Sequence, residues 1–224
     1  MKHLLLATSL LASITGGASA ADLVTAAPAF SWTGGYAGAQ AGYFWGEGCF
    51  CIDVRPEVTA KGDVDGWLGG VYAGYNRQFA NNVVLGVDVD VTRYGVHDFV
   101  QYQVPSVVLP ERSGVDYKLE WGGAARLRAG YAMGRFLPYV AGGVTVVQAD
   151  LTSYFVGSET GHKQDTMVGW TLGGGIDYAL TDKLMLRTEY RYSDFGSFDL
   201  QADDEHGRGK IKGSEFRFGV AYKF

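Results

Sequence analysis

The most regular stretch of the chain is an alternation of apolar and polar positions that runs from Val83 to Tyr94. Every odd position from 83 to 91 is valine or leucine, whereas the even positions include Asp88, Asp90 and Thr92. Successive side chains of a β strand point to opposite faces, so a period of two indicates a strand and not a helix. We predict a strand with one wholly apolar face and one face that carries carboxylates.

The same period recurs along the chain and predicts about eight strands. The strand-like segments are 31–45, 66–79, 83–94, 117–133, 137–151, 169–180, 184–195 and 210–224. Short connections at 80–82, 134–136 and 181–183 alternate with long polar ones at 46–63, 95–114, 152–166 and 194–209. This layout is typical of an all-β fold, an eight-stranded antiparallel up-and-down transmembrane β-barrel with short periplasmic turns and long extracellular loops. In such a barrel every backbone polar group is paired, as lipid requires.

The charged positions predict which face points inward. A charged side chain that faces lipid at the membrane midplane costs about 2–4 kcal/mol, so the charged faces of the strands must line the lumen. The predicted lumen network contains seven basic and six acidic residues. They are Lys118, Arg126, Arg128, Arg187, Arg191, Arg217 and Lys223, with Asp88, Asp90, Glu120, Asp177, Glu189 and Glu215. Because the interior of an eight-stranded barrel is only wide enough for side chains, we expect salt bridges to plug it.

A soluble lipocalin-like barrel would reverse the two faces, with an apolar ligand-binding interior and a charged exterior. Aromatic residues near the predicted strand ends favour the membrane barrel, because they can form girdles at the membrane interfaces. These residues are Trp32, Tyr36, Tyr43, Phe44, Trp45, Tyr75, Tyr94, Tyr139 and Tyr192.

The composition agrees with one ordered, strand-rich domain. The chain of 224 residues contains 33 glycines and 14% aromatic residues, without a collagen-like period and without an apolar run long enough for a transmembrane helix. Residues 1–20 have the basic start, apolar stretch and Ala18-Ser19-Ala20 end of a secretory signal peptide. We therefore predict a signal peptide at 1–20, an N-terminal periplasmic extension at 21–30 and the barrel at 31–224. The net charge of −5 gives no electrostatic reason to expect nucleic-acid binding.

Candidate ligands for a metal fall in the predicted loops. Cys49 and Cys51 are separated by one residue, too close for an unstrained fold-stapling disulfide. A local disulfide, a bridge to another molecule and thiol or metal chemistry all stay open for them. His97, His162 and His206 are the histidines outside the predicted signal peptide, and isolated loop histidines are usually solvated.

Several segments together resemble the small outer-membrane β-barrel (porin-like) proteins of alphaproteobacteria, a family that includes surface antigens and hemin-binding proteins. The resemblance lies in SWTGGYAGAQAGYFWG, GWLGGVYAGYNRQF, LPYVAGGV and GWTLGGGIDYALTDKLMLRTEYRYSDFG. The last strand, with Phe216, Phe218, Tyr222 and Phe224, looks like the C-terminal signal that barrel-insertion machinery recognises. The resemblance implies an outer-membrane location, contact with outer-membrane lipid and lipopolysaccharide, and a role in envelope structure or surface interaction. Through the family's hemin-binding members it also raises a heme or metal site built from His97, His162 and His206, near Cys49 and Cys51.

We favour a structural and surface-interaction barrel, and two alternatives remain open: a small passive pore and a surface receptor for hemin or a metal. The sequence lacks the GxSxG, HExxH, GxxxxGK[ST] and CxxC motifs, and it offers no nucleophile with a placed base, so we expect no enzyme. We expect no cofactor apart from the possible hemin.

Overall fold

The computed structural model describes residues 30–52, 58–101, 114–155, 158–202 and 205–224. These residues form eight antiparallel strands that close into one barrel in the order of the sequence. The strands are β1 (Gly34–Ile52), β2 (Val58–Gln78), β3 (Val83–Gln101), β4 (Gly114–Tyr131), β5 (Phe136–Phe155), β6 (Ser158–Ala179), β7 (Leu184–Ala202) and β8 (Glu205–Lys223). The predicted fold class is confirmed, and no described helix is long and apolar enough to cross a membrane.

The two ends of the barrel differ in their connections. At the end that we call the turn end, residues 79–82, 132–135 and 180–183 join neighbouring strands. The first of these turns is closed by Phe79, whose amide donates to the carbonyl of Val83 at 2.8 Å. Asn82 and Gly134 adopt positive φ angles of 64° and 61°, which suits tight turns. The opposite end is called the loop end.

The strands continue through most of the segments that the sequence predicts as long loops. Each strand has 18 to 22 residues, about twice the 9–11 that a membrane crossing requires. Polar strands beyond the membrane have no lipid to face, so they need no apolar side. The residues that the structure describes within the predicted loops at 46–63, 95–114, 152–166 and 194–209 all lie in strands, so these parts of the predicted loops are corrected to strand pairs.

The outer wall is an apolar band between two rings of aromatic residues. Val71, Leu127 and Val140 in the band expose 60%, 71% and 61% of their surface. The ring toward the loop end contains Tyr43, Trp45, Trp67, Trp121, Trp170, Tyr190, Tyr192 and Phe216. The ring toward the turn end contains Tyr75, Phe79, Tyr131, Phe136, Tyr178, Tyr222 and Phe224. The apolar outside and the charged inside exclude the lipocalin-like alternative.

Five aromatic residues predicted for these rings lie inside the barrel instead. They are Trp32, Tyr36, Phe44, Tyr94 and Tyr139. Inward glycines make room for them, since a Cβ atom on Gly213 would lie 2.2 Å from the Phe44 ring and one on Gly74 would lie 2.4 Å from the Tyr36 hydroxyl. Aromatic rings therefore fill the lumen as well as the interfaces.

The inner face is arranged in three layers along the barrel axis. The layer at the turn end is apolar and contains Trp32, Tyr36, Tyr72, Val84, Ala132, Leu137, Ala179, Met185 and Ala221. The layer toward the loop end is also apolar and contains Phe44, Val64, Leu68, Tyr94, Val96, Leu119, Val147, Ala149, Met167, Phe195 and Ile211. Buried charged residues lie between these two layers on β3, β4, β6, β7 and β8.

Candidate functional site

The buried charged residues form a layer of five arginines and five carboxylates, which we call the charge layer, and each of them is at most 6% exposed. It contains ten of the thirteen residues predicted for the lumen network, and its formal charges cancel. Hydrogen bonds and ion pairs join the ten in one alternating chain. The order in this chain is Arg128, Asp177, Arg187, Asp88, Arg126, Glu189, Arg191, Asp90, Arg217 and Glu215.

Arg126 on β4 stands at the centre of the layer and engages two carboxylates at once. Its Nε and Nη2 donate to the two oxygens of Asp88 at 2.9 and 3.2 Å. Its Nη1 and Nη2 donate to the two oxygens of Glu189 at 2.7 and 3.0 Å. The planar guanidinium group thus clamps β3 and β7 from opposite sides, a geometry that lysine could not reproduce.

Toward the turn end the layer is completed by Asp177 between two arginines. Arg187 donates from Nε to Asp177 at 2.8 Å, and Arg128 donates from Nη2 to the same carboxylate at 2.7 Å. The guanidinium of Arg128 also lies 3.8 Å from the centre of the Tyr139 ring, while that of Arg187 lies 4.4 Å from the Tyr72 ring. The aromatic rings therefore stabilise the cations where the layer meets the apolar residues.

Toward the loop end the layer is completed by Asp90 and Glu215. Arg191 and Arg217 both reach Asp90, at 3.0 and 3.2 Å, and Arg217 also donates from Nε to Glu215 at 2.6 Å. The hydroxyl of Tyr94 donates to the second oxygen of Glu215 at 2.8 Å. The buried carboxylates are thus supplied with donors, as burial of charge requires.

Three residues predicted for the lumen network lie outside the layer. Lys118 is exposed, Glu120 forms an outer ion pair of 3.4 Å with Arg93, and Lys223 is half-buried at the turn end with Nζ 5.6 Å from the centre of the Phe30 ring. The error for Lys118 and Glu120 arises from a bulge in β4, where the register shifts between Leu119 and Gly122. One extra residue reverses the alternation, so Leu119 points inward and Lys118 outward.

Sequence reasoning missed the hydroxyl groups that complete the layer. The hydroxyl of Tyr139 donates to Glu189 at 2.7 Å, and Arg128 donates to that of Tyr36 at 2.9 Å. Thr92 donates to Asp90 at 3.1 Å. Alternation along β3 could have identified Thr92 and Tyr94, because they share the inward parity of Asp88 and Asp90.

Of the residues predicted to bind hemin or a metal, only His97 has a side chain that the structure describes. His97, His162 and His206 lie on β3, β6 and β8, none of which neighbours another. His97 is exposed and lies 2.8 Å from an oxygen of Asp116. Cys49 and Cys51 belong to β1, and their side chains, like those of His162 and His206, are outside the described residues. Within the described side chains no group of three metal-ligating residues comes together, and the predicted hemin or metal site stays a prediction.

The predicted insertion signal lies along the outer face of β8. Phe216, Phe218, Tyr222 and Phe224 all point outward, and Phe224 is 77% exposed. Neighbouring rings touch edge to face, with centres 4.9 Å apart for Phe216 and Phe218 and 5.4 Å apart for Tyr222 and Phe224. The last residue is anchored because its amide donates to the carbonyl of Gly35 at 2.9 Å.

Curated relatives of the chain are outer-membrane proteins of alphaproteobacteria. A 31 kDa outer-membrane immunogenic protein of Brucella melitensis is 35% identical, and the alignment covers all of both chains. A 25 kDa outer-membrane immunogenic protein of the same organism is 29% identical over 100% of this chain and 99% of the relative. A 22 kDa outer membrane protein of Rhizobium leguminosarum is 31% identical over 88% of this chain and 80% of the relative.

Solved structures with a similar fold include the outer membrane protein OprG of Pseudomonas aeruginosa. Its TM-score is 0.52 at 17% identity, with 86% of this chain and 96% of that one covered. The outer membrane protease OmpT of Escherichia coli has a TM-score of 0.54 at 10% identity, with 89% and 100% covered. At such low identities these likenesses concern the fold alone. The family described as the outer membrane protein beta-barrel domain matches residues 8–224, so the chain belongs to that family and resides in the outer membrane of a Gram-negative bacterium.

Proposed function

We propose that the protein is a structural and surface-interaction barrel whose lumen is closed to solutes. The observation that carries the proposal is the charge layer, whose ten ionic groups are engaged with one another between two apolar layers. A solute would have to break ion pairs and displace buried apolar side chains to pass. The same engagement leaves no carboxylate of this layer available as a general base, so we propose no enzymatic role.

We assign the turn end to the periplasm and the loop end to the cell exterior, because outer-membrane barrels have short periplasmic turns and longer extracellular connections. Both Phe30 and Phe224 lie at the turn end, where Phe30 packs on the layer that contains Trp32. The long strand pairs at the loop end would then project from the cell. Because the Brucella relatives are named immunogenic proteins, we propose that these projecting strands present the surface that other molecules meet.

Recording from the refolded barrel in a planar lipid bilayer tests the closed lumen. We expect no stable conductance level, since three successive layers of side chains fill the interior. A wide outer-membrane porin recorded in the same bilayer controls for the ability to detect channels. A stable open level of the wild-type barrel would instead support the passive pore and overturn the proposal.

We also propose that barrel-insertion machinery recognises the outer aromatic residues of β8. Phe224→Ala is expected to reduce the amount of barrel assembled in the outer membrane of cells, because it removes the most exposed of these rings. Refolding of the purified variant into detergent should be almost unchanged, which separates recognition from stability. Phe136→Ala serves as the matched control, because Phe136 is an exposed residue of β5 that belongs, like Phe224, to the ring of aromatic residues toward the turn end. Equal assembly of the two variants would contradict the proposal.

A further inference from the structure

A groove lies on the outer wall near the loop end, where β7, β8, β1 and β2 are neighbours. Its volume of about 510 Å³ is in the range of small-molecule sites, which is roughly 300–1,000 Å³. The residues that line it include Tyr43, Trp45, Glu47, Asp63, Asp65 and Lys212. The groove is separate from the charge layer, which lies inside the barrel.

The strand register brings aromatic and acidic residues together in the groove. Trp45 on β1 lies directly opposite Asp65 on β2, and Glu47 lies directly opposite Asp63 one row closer to the loop end. Residues that are directly opposite on paired strands share one face of the sheet, with Cα atoms about 4.5–5.5 Å apart. The tryptophan ring and the three carboxylates therefore belong to one continuous surface.

The charges of this surface do not balance. Glu47, Asp63 and Asp65 are exposed carboxylates, whereas Lys212 is the basic residue among the described residues that line the groove. The ammonium group of Lys212 lies 3.7 Å from a carboxylate oxygen of Asp194, so a fourth carboxylate already accompanies it. The groove consequently favours a cationic ligand and disfavours an anionic one.

The pair of Glu47 and Asp63 is unfavourable in the empty groove. Like charges at directly opposite positions of two paired strands destabilise the sheet. Among the described side chains, no ion pair includes Asp63. A cation that lies between the two carboxylates would relieve their repulsion, so this pair is a second reason to expect a cationic ligand.

Aromatic rings form the apolar part of the groove. Trp45 keeps 42% of its surface exposed, and its ring centre lies 6.1 Å from that of Tyr190. Tyr43 is held in place because its hydroxyl donates a hydrogen bond to Asp65. The face of a tryptophan ring attracts cations more strongly than that of any other aromatic side chain. Trp45 therefore presents a cation-binding face beside a carboxylate.

The spacing of the carboxylates favours an extended organic cation over a metal ion. No group of three metal-ligating residues comes together among the described side chains, so Glu47, Asp63 and Asp65 do not converge on one point. Neighbouring strands are about 5 Å apart, and Asp63 and Asp65 are separated by about 7 Å along β2. Several ammonium groups joined by short methylene segments can meet such separate charges, while the methylene groups lie on aromatic surface.

We propose that this groove binds a polyamine, a linear aliphatic chain with two or more ammonium groups. One ammonium group lies over the ring of Trp45 and donates a hydrogen bond to Asp65. The next ammonium group lies between Glu47 and Asp63 and removes their repulsion. Access from the cell exterior rests on the proposed orientation of the barrel, whereas binding itself does not.

Isothermal titration calorimetry of the refolded barrel in a non-ionic detergent tests the proposal, with spermidine as the probe. We expect binding to be about tenfold weaker for Trp45→Ala and for Asp63→Asn, the effect of losing about 1.4 kcal/mol. Two control variants should bind spermidine as the wild-type barrel does. Trp121→Ala removes a residue of β4 that is 48% exposed and belongs, like Trp45, to the ring of aromatic residues toward the loop end. Asp182→Asn removes a carboxylate that is 80% exposed at the turn end.

Thermal unfolding separates binding from support of the fold. Because Asp63→Asn removes the repulsion with Glu47, the ligand-free variant should unfold at a midpoint no lower than that of the wild-type barrel. Spermidine should raise the midpoint of the wild-type barrel, since it binds the folded state, and should raise that of Asp63→Asn much less. A lower midpoint for ligand-free Asp63→Asn would contradict the repulsion and overturn the proposal.

Three further probes identify the chemistry that the groove recognises. Mg²⁺ supplies charge without methylene groups, and tetramethylammonium supplies a cation without N–H donors, so both should bind much more weakly than spermidine. A trilysine peptide carries the same ammonium groups on a polypeptide. The proposal is overturned if any of these three probes binds as tightly as spermidine, if Trp45→Ala and Trp121→Ala weaken binding equally, or if the wild-type barrel binds no spermidine. A conducting barrel that still binds spermidine would overturn the closed lumen alone, so failures of the two proposals are distinguishable.

Discussion

Replacing Arg126 with alanine is expected to lower the free energy of unfolding by about 3–5 kcal/mol, because it leaves buried carboxylates without their partner. Arg126 makes four hydrogen bonds to Asp88 and Glu189, and all three side chains are almost fully buried. Arg187 and Arg191 would each retain one of the two carboxylates, so the layer would be weakened and not dismantled. Reversible denaturant unfolding of the refolded barrel in detergent or lipid vesicles measures the change.

An ion pair between an arginine and a glutamate on the outside of the barrel provides the matched control. Arg93 lies 3.4 Å from Glu120 but is 49% exposed, and it stacks on Trp121 at 5.1 Å. Exposed ion pairs contribute about 0–1 kcal/mol, so Arg93→Ala should cost much less than Arg126→Ala. If Arg93→Ala and Arg126→Ala lowered the free energy of unfolding equally, the buried layer would contribute no more to stability than an exposed ion pair does.

The cost of breaking a pair differs from the net value of the whole layer. Removing one partner exposes the full desolvation penalty of the other, whereas replacing both with well-packed apolar residues is often neutral. The predicted loss for Arg126→Ala therefore measures the mutual dependence of the ten groups. It does not imply that an apolar interior would be less stable.

Alternation of side chains was sufficient to predict most of the charge layer. Asp88 and Asp90 on β3, and Arg187, Glu189 and Arg191 on β7, share the inward parity of their strands, and the energetic cost of charges in lipid decided which parity faced inward. No comparable local signal marks the bulge in β4. Since a register is a property of two or three neighbouring strands, the sequence of one strand alone could not reveal the reversal that turns Lys118 outward.

The apolar layers were missed for a different reason. Val96 and Leu119 lie in segments interpreted as the start of a long loop or as part of a lipid-facing side, yet both are 2% exposed inside the barrel. An apolar residue on a barrel strand suits lipid and lumen equally well, so hydropathy cannot assign its face. A charged residue can be assigned, because only one of the two faces tolerates it. The sequence consequently predicted the middle of the lumen better than its two ends.

Trp32 closes the turn end of the lumen, and its loss is the second large effect we expect. It precedes β1, is 1% exposed, and donates from Nε1 to the carbonyl of Gly134 at 3.0 Å. Its amide donates to the side chain of Gln78 at 2.9 Å, and the Phe30 ring packs against it edge to face at 4.9 Å. Trp32→Ala should lower the free energy of unfolding by about 3–5 kcal/mol, as for other large buried side chains whose removal leaves a cavity.

Trp67→Ala is the control for Trp32→Ala, because Trp67 is 73% exposed on the outer wall and its removal leaves no internal cavity. Denaturant unfolding of both variants should show the larger loss of unfolding free energy for Trp32→Ala, and equal losses would mean that Trp32 does not support the interior.

Bilayer recording of Trp32→Ala adds a second readout. Because the charge layer lies beyond Trp32 along the axis, Trp32→Ala should remain closed while it loses stability. A stable conductance in this variant would instead make Trp32 the principal seal and reduce the charge layer to a structural role.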